Sequence, residues 1–259
     1  MTQKECCILF LTLASATSGY SQWTQASSED FEDYAFGESL EGTNWYKINR
    51  AGDPAKNQII TDETGGMNSD GIQLPPNHAG SGNGLFFFDQ SEEGLARAGV
   101  NLSETAENFD IVYLSFDFAF GSVNPESTQV FGVLGLTEAE NTSFGSPQNR
   151  ATSVNLKKNG ILTWSGGQAA VTAPTASHNL AMVANGSNAP FSYEALDGSG
   201  PAQLAPATFD LYLDQTRVGT SVPFTTDSIA LGRFGITTYS SSRDTSFIID
   251  NLNTFVPNP

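Results

Sequence analysis

Residues 110–120 alternate apolar and polar side chains with a period of two, and this limits the fold more than any other stretch of the chain. Side chains on an extended strand point to opposite faces in turn. Val112, Leu114, Phe116, Phe118 and Phe120 therefore fill one face, while Ser115 and Asp117 mark the other. A sheet with one continuous apolar face has to be covered by a second layer. The segments that can supply it are short and separated by turn residues. Residues 84–89 form a continuous apolar run that predicts a buried strand. Residues 128–136 are the natural neighbour of 110–120, and 151–156 and 160–164 are joined through Asn159-Gly160, a strong hairpin signal. Further strands are predicted at 43–49, 57–61, 178–184, 191–196, 207–214, 228–238 and 246–255, with a first strand starting at Glu29 and turning by Gly37. No strand–helix–strand alternation and no internal repeat is visible. The expectation is an all-β chain, two antiparallel sheets packed face to face as a sandwich.

Domain limits and compartment follow from the chain's start and its charge. Lys4, the apolar run 6–13 and the small residues Ala14, Ser15, Ala16 and Ser18 read as an export signal over 1–21. That run is too short to span a bilayer. Both cysteines, Cys6 and Cys7, lie inside it, so the mature chain is expected to have no disulfide. Residues 22–28 read as an unstructured lead-in, and 29–256 as a single domain. A net charge of −17 with only 11 Lys and Arg disfavours nucleic acid and anionic lipid surfaces as partners. It suits a saline extracellular setting and divalent cations. The expected product is secreted, extracellular or at a cell surface, with no stable membrane insertion once the signal is removed.

The last predicted strand carries the residue most in need of a partner. Alternation puts Ile248, Asp250 and Leu252 on one side, so Asp250 is a carboxylate between apolar neighbours. Burying it alone would cost several kcal/mol, roughly, so it needs hydrogen-bond donors or a cation. An Asp at a sheet rim bonded to backbone amides meets that need, and so does a calcium ligand.

Phe31-Glu32 near the start and Ile249-Asp250-Asn251 at the end together resemble the concanavalin A-like jelly rolls, which include carbohydrate-binding modules, laminin G-like domains and some glucanases and lyases. The resemblance implies first and last strands side by side, with Glu32 and Asp250 sharing a structural Ca2+. Residues 209–218 also resemble this superfamily's hairpin, with Gln215 where Gly is usual.

A catalytic constellation is not legible. Glu138 and Glu140 open a polar loop, and Asp30 and Glu32 are better used by calcium. His78 and His178 are the only histidines, with no Gly-x-Ser-x-Gly elbow and no His-Glu-x-x-His. Sugar binding remains. Trp45, Tyr46, Trp164 and Tyr239 are the candidate stacking residues, with Asn44, Gln168 and Arg243 nearby in sequence; most aromatics in a sandwich belong to its core. Trp164, beside Gly166-Gly167, is the one expected to be exposed. The leading expectation is a non-catalytic binder of polysaccharide or glycan. The alternatives are a glycoside hydrolase or lyase of the same fold, or a structural or adhesion protein of the envelope. Val256-Pro-Asn-Pro259 resembles the opening of a bacterial C-terminal sorting tag; with nothing after it, the expectation is a soluble product.

Overall fold

The computed structural model describes residues 22–37, 45–48, 57–61, 74–88, 97–239 and 245–258, with backbone alone for 45–48, 57 and 58. The export segment 1–21, Asn44 and Arg243 lie outside the described residues. Strands over the first half of the chain are β1 (Trp23–Glu29), β2 (Trp45–Ile48), β3 (Asn57–Ile60), β4 (Gly84–Phe88), β5 (Arg97–Asn101), β6 (Ile111–Ser122) and β7 (Val130–Thr137). Then come β8 (Val154–Lys157), β9 (Ile161–Trp164), β10 (Gly167–Ala170), β11 (His178–Asn185), β12 (Phe191–Glu194) and β13 (Pro201–Leu204). The last four are β14 (Thr208–Leu213), β15 (Thr216–Pro223), β16 (Arg233–Thr238) and β17 (Ser246–Pro257).

Two antiparallel sheets result. The first runs β15-β14-β11-β6-β17-β4-β3, with β1 also on β17, and the second runs β10-β9-β8-β7-β16-β5-β2. The alternation of β6 does what its sequence predicts. Val112, Leu114, Phe116, Phe118 and Phe120 enter the core between the sheets, where Phe131, Leu134 and Leu136 of β7 and Phe234 and Ile236 of β16 meet them. The outer face of the first sheet carries two further apolar clusters. Hairpin β12–β13 covers one of them through Tyr193 and Leu204, packed with Tyr113, Val183 and Tyr212. Leu74 and Ala79 of the segment before β4 cover the other, with Phe86, Phe88 and Ile248. β4 is apolar throughout because both its faces are covered: Leu85 and Phe87 point inward, Phe86 and Phe88 outward.

Three expectations change. Residues 23–28 are not an unstructured lead-in; they form β1, paired with β17 from Trp23↔Pro257 to Glu29↔Leu252. Trp23 is anchored against Tyr113 and Phe191, and the first predicted strand, from Glu29, is instead mostly turn. Val256 and Pro257, the opening of the tag-like stretch, belong to the same pairing. Leu252 does not share a face with Asp250. The pairing of β17 with β6 shifts between Asp250 and Asn253, Asn251 takes φ 50°, and Leu252 turns into the core with Phe247 and Ile249.

β14 and β15 form the hairpin expected at 209–218, closed by Asp214 and Gln215, both at positive φ (49° and 62°). This is the left-handed pair a two-residue hairpin needs, made without glycine. Asp214 is held there by the Asn179 N–H and by His178 Nδ1 at 2.8 Å. Gln215 has no such compensation on record, so Gln215→Gly should raise stability by about 0.5–1 kcal/mol in urea unfolding. No gain would mean that the turn is unstrained.

Candidate functional site

One row of polar side chains crosses the outer face of the first sheet between its two apolar clusters. Asn179 on β11 pairs with Asp117 on β6, and Asp117 with Asp250 on β17. Cross-strand neighbours share a face, so two carboxylates stand side by side there. Amides hold the row together. Asn179 Nδ2 donates to Asp117 Oδ1 at 2.9 Å, and Asn251 Nδ2 donates to Asp117 Oδ2 at 3.0 Å. The bulge at Asn251 makes the second bond available and also brings the Asn251 N–H to Asp250 Oδ1 at 2.7 Å.

The segment before β4 closes over Asp250. Asn77, itself buried, donates from Nδ2 to Asp250 Oδ2 at 3.0 Å and accepts from the Ala79 and Gly80 N–H groups through Oδ1. A Cβ on Gly80 would collide with Asp250 Oδ2, and one on Gly82 with Glu32 Oε1. Glycine is needed at both places because the backbone itself wraps the carboxylates. Glu32 reaches this loop from the turn after β1 and accepts from the Asn83 N–H at 2.9 Å. Glu32 and Asp250, read as partners from opposite ends of the chain, are thus brought to one glycine loop.

Asp250 is 1% exposed. Burial pushes its carboxyl up to about 6; the Asn77 and Asn251 bonds oppose that, and the nearby charges of Asp117 and Glu32 add to it. Among the described residues no Lys or Arg forms an ion pair with any of the three. Two carboxylates held against a glycine loop, with a third beside them and no cationic partner among the described residues, suit a hard cation, which takes six to eight oxygens from carboxylates, amides and carbonyls. No three His, Cys, Asp or Glu side chains among the described residues are grouped closely enough to hold a metal ion alone. A calcium ion here would need Asn and backbone oxygens as well.

The aromatic candidates do not converge. Trp164 is 8% exposed and points into the core from β9. Gly167 and Gly219 lie against its indole, where a Cβ would come within 3.2 Å of Nε1 or closer, so the neighbouring glycine covers the ring rather than exposing it. Trp45 and Tyr46 lie on β2 at the opposite edge of that sheet, and their side chains are outside the described residues. β9 and β2 are five strand steps apart, about 24 Å at the usual spacing. Tyr239 is half-buried just beyond β16, with its N–H on Phe131 O. Glu138 and Glu140 are exposed loop residues, and Asp30 caps its own turn by accepting from the Glu32 N–H.

Sequence reading missed a second polar cluster, beneath hairpin β12–β13. Tyr193 donates to Asp210 Oδ2 at 2.6 Å, with the Tyr212 hydroxyl also 2.6 Å away, and the Ser221 N–H donates to Asp210 Oδ1. Arg217 Nη1 lies 3.6 Å from Asp210 Oδ2, and its guanidinium sits over the Tyr212 ring. Alternation along 207–214 puts Asp210 on the face opposite Phe209 and Leu211. It does point outward, but the hairpin buries it there to 1% exposure.

Comparison with solved structures bears on the fold. The globular domain of T. cruzi calreticulin superposes with a TM-score of 0.50 at 12% identity, over 89% of this chain and 88% of that one. The chain has the fold of a concanavalin A-like jelly roll. The Emp47p carbohydrate recognition domain matches at TM-score 0.49 and 11% identity, over 92% of this chain and 98% of that one. A carbohydrate esterase of Shiga toxin-encoding bacteriophage phi24B matches at 0.47 and 11%, over 91% and 100%. No protein-family model matches the chain, and no curated protein matches it. Likeness at such identities concerns architecture alone, so function has to be argued from the site.

Proposed function

We propose that the chain is a secreted, non-catalytic carbohydrate-binding sandwich that presents the Asn179–Asp117–Asn251 row to a glycan. In this reading Glu32 and Asp250 hold a structural calcium beneath one end of the row. The observation that carries it is the convergence of Glu32 and Asp250 on the 77–84 loop, with Asp117 beside Asp250 and no Lys or Arg paired with any of the three among the described residues. Glu32 and Asp250 would be the protein's charged ligands, with amide and carbonyl oxygens of Asn77 and the loop as neutral ones. The ion would supply the positive charge that lets both carboxylates stay ionised. Half-exposed planar amides at Asn179, Asn251 and Asn253, with the Ser115 hydroxyl, offer donors and acceptors at the spacing of a sheet. These groups suit sugar hydroxyls. Tyr239, Trp45 and Tyr46, on the second sheet, remain the aromatic candidates. Export is supported by the pattern at 1–21.

A glycan array and polysaccharide pull-down should show binding with calcium present, lost in chelator and in Asn179→Ala. No bound glycan in calcium would end the proposal.

One observation favours the enzyme alternative: Asp117 and Asp250 stand side by side, and burial pushes Asp250 towards its acid form, as in a general acid beside a second carboxyl group. Burial of Asp250 under Asn77 weighs against it, because a catalytic acid must reach its substrate. Release of reducing ends from a bound polysaccharide, abolished in Asp117→Asn, would favour the enzyme.

A further inference from the structure

The outer face of the second sheet holds a feature that the Asp117–Asp250 row does not explain. Gly99 of β5, Gly235 of β16 and Gly135 of β7 stand in register. Each is glycine because something lies directly against it. Arg233 covers Gly99, the Phe144 ring covers Gly235 at 2.8 Å from where a Cβ would sit, and the Thr152 carbonyl covers Gly135. The loop from β7 to β8 is pressed onto the sheet in this way, with Phe144 as its plug.

Three of the 11 basic residues of this acidic chain gather around that plug. Arg97 packs against Gly145. Arg233 donates from Nε to Asn101 Oδ1 at 2.9 Å and from Nη1 to Asn141 O at 2.6 Å. The Arg150 guanidinium sits 5.6 Å from the centre of the Phe144 ring. Arg150 is 3% exposed, and its Nε and Nη1 are buried without a hydrogen-bond partner. Among the described residues, what compensates this guanidinium is the face of an aromatic ring. Arg217 shows the usual arrangement, with Asp210 and Asp197 beside it.

We propose that Arg150 anchors an oxyanion site under this loop, which takes the single carboxylate of an acidic sugar, with Phe144 as the lid over it. The planar guanidinium matches a carboxylate or a sulfate ester equally in charge and nearly in geometry. A net charge of −17 repels a ligand charged at every residue, whereas one oxyanion close to a buried fork is attracted locally, inside the screening length of salt. The site lies on the sheet opposite the Asp250 row and needs no calcium; its assignment to a sugar acid rests on the carbohydrate reading above, whereas the oxyanion site itself does not.

The test is calorimetric titration of the full chain in chelator with glucuronate, glucose and inorganic sulfate. Glucuronate should bind saturably and glucose should not. Arg150→Gln should weaken glucuronate about tenfold or more while keeping the melting response to calcium, and Arg150→Lys should fall between. Phe144→Ala, with the lid shortened, should speed association. Absence of glucuronate binding, or equal binding by Arg150→Gln, overturns the site, and sulfate binding without glucuronate binding overturns its assignment to a sugar acid. If Arg150→Gln does not fold, competition on the wild type decides: mutual displacement of glucuronate and sulfate supports one oxyanion site, and independent binding overturns it.

Discussion

In chelator, the protein should lose stability as pH is raised from about 4 to about 7, and millimolar calcium should reverse the loss. The folded state raises the Asp250 carboxyl from 3.8 to about 6, so across that window it holds a proton that the unfolded chain has released. Stability tied to this group is complete below 3.8 and declines as pH rises through the folded value; the difference is about 3 kcal/mol. For a domain of this size that is roughly 6–12 °C of melting temperature. Calcium binds the ionised form, so its affinity should fall below about pH 6, where it must displace the proton. At neutral pH it should restore about 2.7 kcal/mol at a hundredfold excess over its Kd. Asp250→Asn should remove both the pH trend and the calcium response. Asp250→Ala should be more damaging than Glu32→Ala, because Asp250 is buried and Glu32 is exposed. Identical melting curves in chelator and in calcium would leave Asp250 as a hydrogen-bonded rim residue.

Asp210→Ala should lower stability by about 3–5 kcal/mol in urea unfolding, the largest effect expected of any single substitution outside the core. The carboxylate is the shared acceptor for Tyr193, the Ser221 N–H and Arg217, and its removal leaves the buried Tyr193 hydroxyl and the partly buried Arg217 without it. Burial, and then the bond to Asp210, hold the Tyr193 phenol far above its ordinary value, so it stays a donor at every pH the protein would meet. Tyr193→Phe removes one donor and leaves the charge pair, so about 1–2 kcal/mol is expected. A double-mutant cycle of Asp210→Ala with Arg217→Met should show coupling of about 1 kcal/mol or more. Additive effects would mean that the cluster fills space without acting as a network.

What the chain disclosed before folding, and what it withheld, divides along local and non-local lines. β6 was legible because its alternation is complete within eleven residues and needs no partner to be recognised. Asp250 was legible as a residue in need of compensation, and Glu32 as its companion. Asp117 was passed over as an ordinary solvent-side residue, since only the register of β6 against β17 reveals that it stands opposite Asp250. Gly80 and Gly82 looked like turn residues; their contact with two carboxylates depends on a loop folding back over strands distant in sequence. The one-residue slip at Asn251, which sends Leu252 inward, is invisible to a period-two reading. β5, with one β-branched residue and a central glycine, carries little strand signal of its own, and its glycine is explained by Arg233 of β16, far along the chain.

The way β17 is shared between neighbours has a kinetic consequence. Its first residues pair with β4, its later ones with β1, and almost its whole length with β6. Without β17, the described part of the first sheet is three separate pieces: β15-β14-β11-β6 on one side, and β4-β3 and the lone β1 on the other. During synthesis those pieces would wait with unpaired edges for the last strand to be made. Pairings that span nearly the entire chain close slowly. Completion of the sheet is therefore postponed until residues 246–257 are free, and an incomplete chain keeps the edges of β6 and β4 exposed.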